Sequence, residues 1–234
     1  MTRRRWIADQ IKGNRAMLIG EHAAHLARVL RAQAGQEFDI AADGVVRRGR
    51  ILSVSENRVE FQLGEEVESA PVAQVTLALA IIKFDRMEWA IEKCTELGVA
   101  RIVPFVARRT DAHLAAAAGK RVERWRRIAR EASEQARRVA PPEIADPVRL
   151  RDVLALPGER RIVLSEAETS VPLREASSEG SALVLAIGPE GGWTNEELQA
   201  FAEAEWKAAA LGPTILRAET AAIAAMAVVM SQTT

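Results

Sequence analysis

A glycine-rich turn near the C-terminus carries the strongest chemical signal in this sequence. The stretch IGPEGGWTNEE (187–197) directly follows a buried-type apolar run. Thr194 and Glu197 have the spacing of a capping box, so a helix is expected to begin here. Glycines adopt positive φ and let a backbone approach a ligand closely. Because ligands of α/β proteins lie beyond the C-terminal ends of strands, this turn is predicted to line a binding site.

A second turn of the same kind follows at LGPTILRAETA (211–221), again between an apolar run and a helix. Arg217 and Glu219 fall at the start of that helix. A carboxylate here is favoured by the positive end of the helix dipole, so Glu219 is either a simple cap or a reactive group. Arg217 stands between apolar residues and the helix start, which favours a cation of the site over a surface cation.

Several common site types are excluded by the same residues. No Gly-Lys-Ser/Thr follows either turn, and neither has the Gly-x-Gly-x-x-Gly pattern of dinucleotide binding. Cys94 is the single cysteine of the chain, which rules out an intrachain disulfide and a multi-cysteine zinc site. The three histidines, His22, His25 and His113, leave too few ligands for a metal cluster. We therefore expect no metal.

The elements that must position both turns alternate between strands and helices. The predicted strands span 75–82, 102–106, 162–165, 183–187 and 208–211. The predicted helices span 85–98, 121–138, 172–178, 195–205 and 219–232. Asp85 is predicted to cap the first of these helices, because Glu88 follows three residues later. This alternation indicates an α/β fold with a parallel sheet.

The N-terminal part has a different pattern, with short strands around one helix. The predicted strands span 3–8, 16–19, 37–41, 45–54 and 58–63, and the predicted helix spans 22–32. The acidic segment 65–71 ends in proline and is predicted to connect two domains. We therefore predict one domain over residues 1–70 and a second over residues 74–234.

Charge is unevenly distributed along this chain of 234 residues, although its formal net charge is zero. Residues 73–151 carry 16 basic and 10 acidic side chains, whereas residues 152–234 carry a net charge of −7. A basic face of this kind either binds a polyanion or is simply a solvated helix surface. No apolar run approaches the ~20 residues of a transmembrane helix, and the N-terminus lacks a signal peptide's apolar core. We therefore expect a cytoplasmic protein that does not bind a membrane.

Taken together, several blocks of the sequence resemble the RsmE family of ribosomal RNA methyltransferases. The blocks are the two turns already described, KFDRMEWAIEKCTELGV (83–99), RIVPF with the following Arg108-Arg109-Thr110, EASEQARRVAPPEI (131–144) and HLARVLRAQAGQEF (25–38). The resemblance covers nearly the whole chain. It departs from the usual family pattern at Ser165-Glu166, where relatives often have His-Pro, and at Trp193, where they often have Phe.

The resemblance implies both a fold and an activity. The fold is an N-terminal PUA-like β-barrel that binds RNA, over residues 1–70, and a C-terminal SPOUT domain with a deep trefoil knot, over residues 74–234. The activity is S-adenosylmethionine-dependent methylation of N3 of a uridine in 16S ribosomal RNA, within the small ribosomal subunit and by a homodimer. The methyl donor is then expected to contact Leu164, Ser165, Glu166, Ile187, Gly188, Pro189, Glu190, Gly191, Gly192, Leu211, Gly212, Ile215, Leu216 and Arg217.

Under this hypothesis the site must remove the weakly acidic N3 proton of uridine. Arg217 is the first candidate to stabilise the resulting anion, and Glu219 or Glu190 is a candidate for the proton acceptor. The candidate contacts to RNA phosphates are Arg3, Arg4, Arg5, Arg28, Arg31, Lys83, Arg86, Arg137 and Arg138. Two alternatives remain open: an RNA-binding protein of the same fold that has lost catalysis, and a SPOUT methyltransferase that acts on transfer RNA.

Overall fold

The computed structural model of the protein describes residues 5–67, 74–168, 170–177 and 182–232. The chain packs as two compact units. The first contains Met1–Pro71 together with Ser133–Pro141, and the second contains Val72–Ala132 and Pro142–Thr234. Membership of Ser133–Pro141 in the first unit is not expected from the sequence, and the predicted boundaries at residues 70 and 74 remain predictions.

A six-stranded mixed sheet forms most of the first unit. Its strands are β1 (Arg5–Ile7), β2 (Gln10–Lys12), β3 (Arg15–Ile19), β4 (Glu37–Ala42), β5 (Val45–Val54) and β6 (Arg58–Val67), in the order β1-β4-β5-β6-β3-β2. Only β1 and β4 pair in parallel among these strands. A Cβ at Gly49 would collide with the side chain of Ile40, so the close approach of β5 to β4 requires glycine there.

Two sequence predictions for this unit are wrong in their limits. The predicted helix 22–32 is instead a short helix, α1 (Glu21–Ala24), followed by a π-helical turn over His25–Val29. The predicted connection 65–71 begins too early, because β6 continues to Val67 and pairs there with Val46 of β5. The strand β2 was not predicted, because it is only three residues long.

A parallel sheet forms the centre of the second unit. Its seven strands are β7 (Gln74–Ala80), β8 (Arg101–Val106), β9 (Glu143–Ile144), β10 (Val148–Arg149), β11 (Arg160–Leu164), β12 (Ala182–Ile187) and β13 (Lys207–Ala209). Their order is β10-β8-β7-β12-β11-β13, with β9 also paired to β8, and every pair is parallel. The prediction of an α/β fold with a parallel sheet is confirmed.

Seven helices accompany this sheet within the described residues. They are α2 (Phe84–Glu96), α3 (Ala112–Ala117), α4 (Val122–Gln135), α5 (Leu150–Leu154), α6 (Leu173–Ala176), α7 (Asn195–Glu203) and α8 (Ala218–Met230). None of the described helices is long and apolar enough to cross a membrane. The short elements β9, β10, α3 and α5 lack a periodic apolar pattern and are not predicted from the sequence.

Two helix ends differ from their predictions for identifiable reasons. Lys83, not Asp85, is the N-cap of α2, and Asp85 lies one position inside the first turn, where its charge still favours the helix dipole. α4 ends at Gln135 rather than at residue 138, because Arg137 adopts a left-handed backbone with φ 57°. The block 131–144, which resembles the RsmE family, therefore contains the end of α4.

The thiol of Cys94 is expected to be inert in the folded protein. Cys94 lies on α2 with no solvent exposure, and burial raises the pKa of its thiol to about 12. Because only the thiolate reacts, iodoacetamide at pH 8 should leave the native protein unmodified for hours. In denaturant the same reagent should modify Cys94 to completion, as measured by mass spectrometry. Rapid modification of the native protein would contradict this burial.

Candidate functional site

A cavity of about 450 Å³ opens in the second unit where β11, β12 and β13 end. Three segments that follow these strands supply most of its wall. They are the 164–167 segment after β11, the 187–193 segment after β12 and the 209–218 segment after β13. Arg86 of α2, Asn195 and Leu198 of α7, and Ala221 of α8 supply the rest of the lining. The carboxyl ends of neighbouring parallel strands meet at one edge of a sheet, which explains why these three segments converge.

The glycine-rich loop after β12 is held by its own backbone and by a cap. The amide of Gly192 donates to the carbonyl of Pro189 at 2.9 Å, and Gly192 has φ 70°. Thr194 and Glu197 form the predicted capping box at the start of α7. The buried carboxylate of Glu197 also accepts a 2.7 Å hydrogen bond from the amide of Arg108. This shared carboxylate joins the loop to the segment that follows β8.

Trp193 locks the glycine-rich loop against the end of β11. Its indole N–H donates to the carbonyl of Leu164 at 2.7 Å. The indole stacks on Phe105, with ring centroids 6.0 Å apart, and meets the ring of Phe201 edge-on at 4.9 Å. A Cβ at Gly188 would lie 2.9 Å from this indole. Glycine at 188 is therefore required to leave room for Trp193.

Gly191 contacts Arg109 rather than the cavity, unlike Gly188 and Gly192. Its carbonyl accepts a 2.7 Å hydrogen bond from the guanidinium of Arg109, and a Cβ there would lie 3.3 Å from the Arg109 side chain. Gly191 is not among the residues that line the cavity, whereas Gly188 and Gly192 are. The absence of a side chain at Gly191 thus makes room for Arg109.

The segment after β13 forms the outer wall of the cavity. Gly212 has φ 153°, and the following Ile215 and Leu216 are 82% and 37% exposed. Arg217 is the N-cap residue of α8, and its carbonyl accepts the amide of Ala221 at 2.8 Å. Its exposed guanidinium has no hydrogen-bond or ion-pair partner among the described residues. Arg217 therefore offers a free cation at the cavity.

Two carboxylates and one guanidinium form an ion cluster beside this cation. Arg86 donates a hydrogen bond to Glu190 and lies 3.7 Å from Glu219, measured from Nε to Oε1. Glu219 is only 3% exposed, and its Oε2 has no hydrogen-bond partner among the residues that the structure describes. Arg86 thus connects the glycine-rich loop to the first turn of α8. Its positive charge compensates a carboxylate that is buried.

Arg86→Gln is expected to destabilise the second unit by about 2 kcal/mol, because it leaves the buried Glu219 carboxylate without its cation. Adding Glu219→Gln should restore most of that loss, since the uncompensated charge disappears. Chemical denaturation of both variants measures the effect.

Arg124→Gln is the matched control, because Arg124 pairs with Glu88 while 49% exposed. The Arg124→Gln substitution should lower the free energy of unfolding by less than about 1 kcal/mol. Equal losses for Arg86→Gln and Arg124→Gln, or no rescue by Glu219→Gln, would contradict a role for Arg86 in compensating Glu219.

Comparison with known proteins shows which family this chain resembles. A model of the RNA methyltransferase domain matches residues 68–230. A ribosomal RNA small subunit methyltransferase E from Bacillus subtilis is 32% identical over 230 residues, with 92% of this chain and 90% of the relative covered. The relative of the same name from Mycobacterium bovis is 33% identical over 225 residues, covering 92% and 85%.

The chain belongs to this methyltransferase family. A crystal structure of a ribosomal RNA small subunit methyltransferase E from Neisseria gonorrhoeae bound to S-adenosylmethionine is similar, with a TM-score of 0.86 and 28% identity. The match covers 98% of both chains. The RsmE resemblance of the sequence is confirmed.

The fold brings nearly all of the predicted cofactor residues to this one cavity. Those that line the cavity are Leu164, Ser165, Glu166, Ile187, Gly188, Pro189, Glu190, Gly192, Leu211, Gly212, Ile215, Leu216 and Arg217. Arg109 and Asn195 were not predicted to be site residues. Arg109 holds the loop and Asn195 lines the cavity. Both occur within the family blocks, which was the available signal.

The predicted RNA-binding residues are spread over both units. Arg5, Arg28, Arg31, Arg137 and Arg138 belong to the first unit, whereas Lys83 and Arg86 belong to the second. Arg3 and Arg4 lie outside the described residues. Arg28 pairs with Glu56 at 2.9 Å, and burial lowers the pKa of Arg138. Arg86 is paired with Glu190 and Glu219 at the cavity. A role in the cavity therefore suits Arg86 better than a surface contact with an RNA phosphate.

Proposed function

We propose that this protein transfers the methyl group of S-adenosylmethionine to N3 of a uridine in 16S ribosomal RNA of the small subunit. The observation that carries the proposal is the cavity at the ends of β11, β12 and β13, with its glycine-rich loop and a free arginine. Family membership and the likeness to a relative bound to S-adenosylmethionine support the same donor. The reaction class is methyl transfer to RNA.

The cavity has the properties that this donor requires. Its volume of about 450 Å³ falls in the ~300–1,000 Å³ range of small-molecule sites. The left-handed backbone at Gly192 disfavours any side chain there, and a Cβ would also lie 3.3 Å from the carboxylate of Glu166. When bound, S-adenosylmethionine supplies an electrophilic methyl group on a positively charged sulfur. The carboxylate of Glu166, which lines the cavity, favours such a cation.

The residues around the cavity divide the remaining chemistry between them. Arg217 would stabilise negative charge on the uridine oxygens, because its guanidinium has no other partner among the described residues. Glu219 or Glu190 would accept the N3 proton. The buried, unpaired Oε2 favours Glu219, whereas Glu190 lines the cavity directly. Arg86 would hold both carboxylates in place through its contacts with them.

We further propose the finer architecture that the family resemblance implies. The second unit would contain a SPOUT trefoil knot, in keeping with the insertion of β12 between β7 and β11. The mixed sheet of the first unit would be a PUA-like RNA-binding barrel. These domains would work in the cytoplasm. Circular permutation that opens the chain near residue 178 should then allow an unknotted fold, with loss of cofactor binding.

A homodimer is also part of the proposal. α8 is rich in apolar residues around its whole circumference, and Ala227 on it is exposed. Trp89 on α2 is 49% exposed and Ile215 is 82% exposed. A second copy would cover such surfaces by twofold symmetry. Sedimentation velocity should show a dimer at micromolar concentration. A fully active monomer under the same conditions would contradict this.

Methylation in vitro tests the activity directly. Small subunits from a strain lacking the modification should be incubated with the protein and S-adenosylmethionine, and their RNA digested to nucleosides. Mass spectrometry should then detect N3-methyluridine in 16S ribosomal RNA. Methylation of transfer RNA instead would identify a different substrate. Binding of RNA without any methyl transfer would identify a protein that has lost catalysis.

A further inference from the structure

Two arginines of the first unit occupy backbone conformations that normally belong to glycine. Arg31 has φ 48° and Arg137 has φ 57°. The left-handed region is unfavourable for residues with a Cβ, and only glycine visits it freely. Strain of this kind persists only where the surrounding structure imposes it, and it is concentrated at functional sites.

Both arginines stand at the residue just beyond a helical end. The amide of Arg138 donates to the carbonyl of Ser133 at 2.8 Å, which is the long hydrogen bond of a Schellman motif. The amide of Ala32 donates to the carbonyl of Leu26 at 3.0 Å, one residue wider because the preceding turn is π-helical. The end of α2 shows the usual solution, since Gly98 occupies the equivalent position with φ 102°.

The two arginine side chains contribute no contact that would justify this strain. Both are exposed, and neither guanidinium has a hydrogen-bond or ion-pair partner in the part of the chain that the structure describes. Glu205, which follows the C-cap of α7 and has φ 60°, differs because its carboxylate lies 4.0 Å from the guanidinium of Arg161. The backbone at both arginines is thus strained, and no side-chain contact within the described structure offsets that strain.

The backbone at Arg137 is also fixed from outside its own helix. The guanidinium of Arg5 donates to the carbonyl oxygen of Arg137. This contact lies within the first unit, which holds both left-handed arginines. The main chain at Arg137 is therefore held by a contact from another part of the same unit as well as by the end of its own helix.

We propose that Arg31 and Arg137 bind backbone phosphates of the RNA substrate, and that the protein gains these contacts at a cost in stability. The inference rests on the proposed function, which supplies the RNA. A planar guanidinium matches a phosphate with two parallel hydrogen bonds, and an unpaired one loses no internal partner on binding. Part of the affinity of the first unit for RNA would then come from two residues with an unfavourable backbone conformation, Arg31 and Arg137.

The test replaces each arginine with glycine in the full chain, separately and together. Arg31→Gly and Arg137→Gly should each raise Tm, by about 2–4 °C if strain relief is near 1 kcal/mol. Each should also weaken binding to isolated small ribosomal subunits severalfold at 50 mM salt. The slope of log affinity against log salt should shrink by about 0.7–0.9 for each phosphate contact removed.

Glu205→Gly is the matched control, because it relieves the same backbone strain in the other unit. It should raise Tm in the same way and leave RNA affinity and its salt slope unchanged. Arg31→Lys and Arg137→Lys should keep most of the salt slope, since they keep the charge. The opposite signs of the two effects separate an RNA contact from a structural arginine.

The outcomes also separate this inference from the proposed function. If the unmodified protein binds and methylates the small subunit while both glycine variants retain its affinity and salt slope, the phosphate contacts are wrong and the activity stands. A fall in Tm for the glycine variants would overturn the strain argument. If the unmodified protein neither binds nor methylates the subunit, the proposed function fails and this inference fails with it.

Discussion

Gly188→Ala is expected to lower the affinity for S-adenosylmethionine about 10- to 100-fold and to reduce methylation in parallel. The added methyl group would lie 2.9 Å from the Trp193 indole. That ring cannot retreat, because Phe105 stacks on one side and Phe201 meets it edge-on. Overpacking of this kind typically costs about 1–3 kcal/mol. The strain should displace Trp193 and release the carbonyl of Leu164 at the cavity wall.

Isothermal titration with the cofactor measures the effect. Gly119→Ala is the matched control, because a Cβ at Gly119 would meet nothing within 4 Å. It should keep the cofactor affinity of the unmodified protein. Trp193→Phe keeps the ring contacts but loses the hydrogen bond to Leu164. Its affinity for the cofactor should lie between those of Gly188→Ala and Gly119→Ala. An unchanged affinity for Gly188→Ala would remove Trp193 from any role in shaping the pocket.

Arg217→Ala is expected to lower kcat for methylation about 10²- to 10³-fold, with a much smaller effect on cofactor affinity. Removing one preorganised group that stabilises transition-state charge typically has this effect. Arg217 is suited to the role because it lines the cavity and its guanidinium has no partner among the described residues. Single-turnover methylation of small subunits, with donor and RNA both saturating, isolates the chemical step.

Arg174→Ala is the control for Arg217→Ala, since Arg174 is an exposed arginine of α6 that does not line the cavity. It should methylate at the normal rate. Arg217→Lys should recover part of kcat, because a charge remains but the fork of donors does not. If Arg217→Ala raises only the KM for RNA and leaves kcat intact, Arg217 binds substrate without stabilising the anion.

The local features of the site were predictable from the sequence. A capping box depends on residues three apart, so Thr194 and Glu197 predict the start of α7 without knowledge of the fold. The apolar run before the first glycine turn likewise predicts the buried parallel strand β12. The run before the second turn predicts β13, which is a partly buried strand at the edge of the sheet. Convergence of the turns then follows from a rule about parallel sheets, and the cavity contains all but one of the predicted cofactor residues.

Contacts between distant segments were not predictable in the same way. Arg86 was a candidate for phosphate binding because its charge is visible in the sequence, whereas its partners Glu190 and Glu219 are brought near by folding. Gly191 was expected beside the ligand, yet Arg109 occupies the space where its side chain would be. The left-handed backbone of Arg137 depends on the end of α4, and residue preferences predict a longer helix there.

The position of β12 has a consequence for how the chain is made. β12 pairs with β7 on one side, Gln74 opposite Ala182, and with β11 on the other, Arg160 opposite Leu183. At the ~5–20 residues per second of ribosomal synthesis, β7 therefore waits many seconds for its neighbour. Until β12 emerges, β7 and β11 present unpaired edges of apolar strands, which are the usual templates for aggregation. Nascent chains of this protein should thus depend on chaperones late in translation, and slow decoding before residue 182 should lower the yield of soluble enzyme.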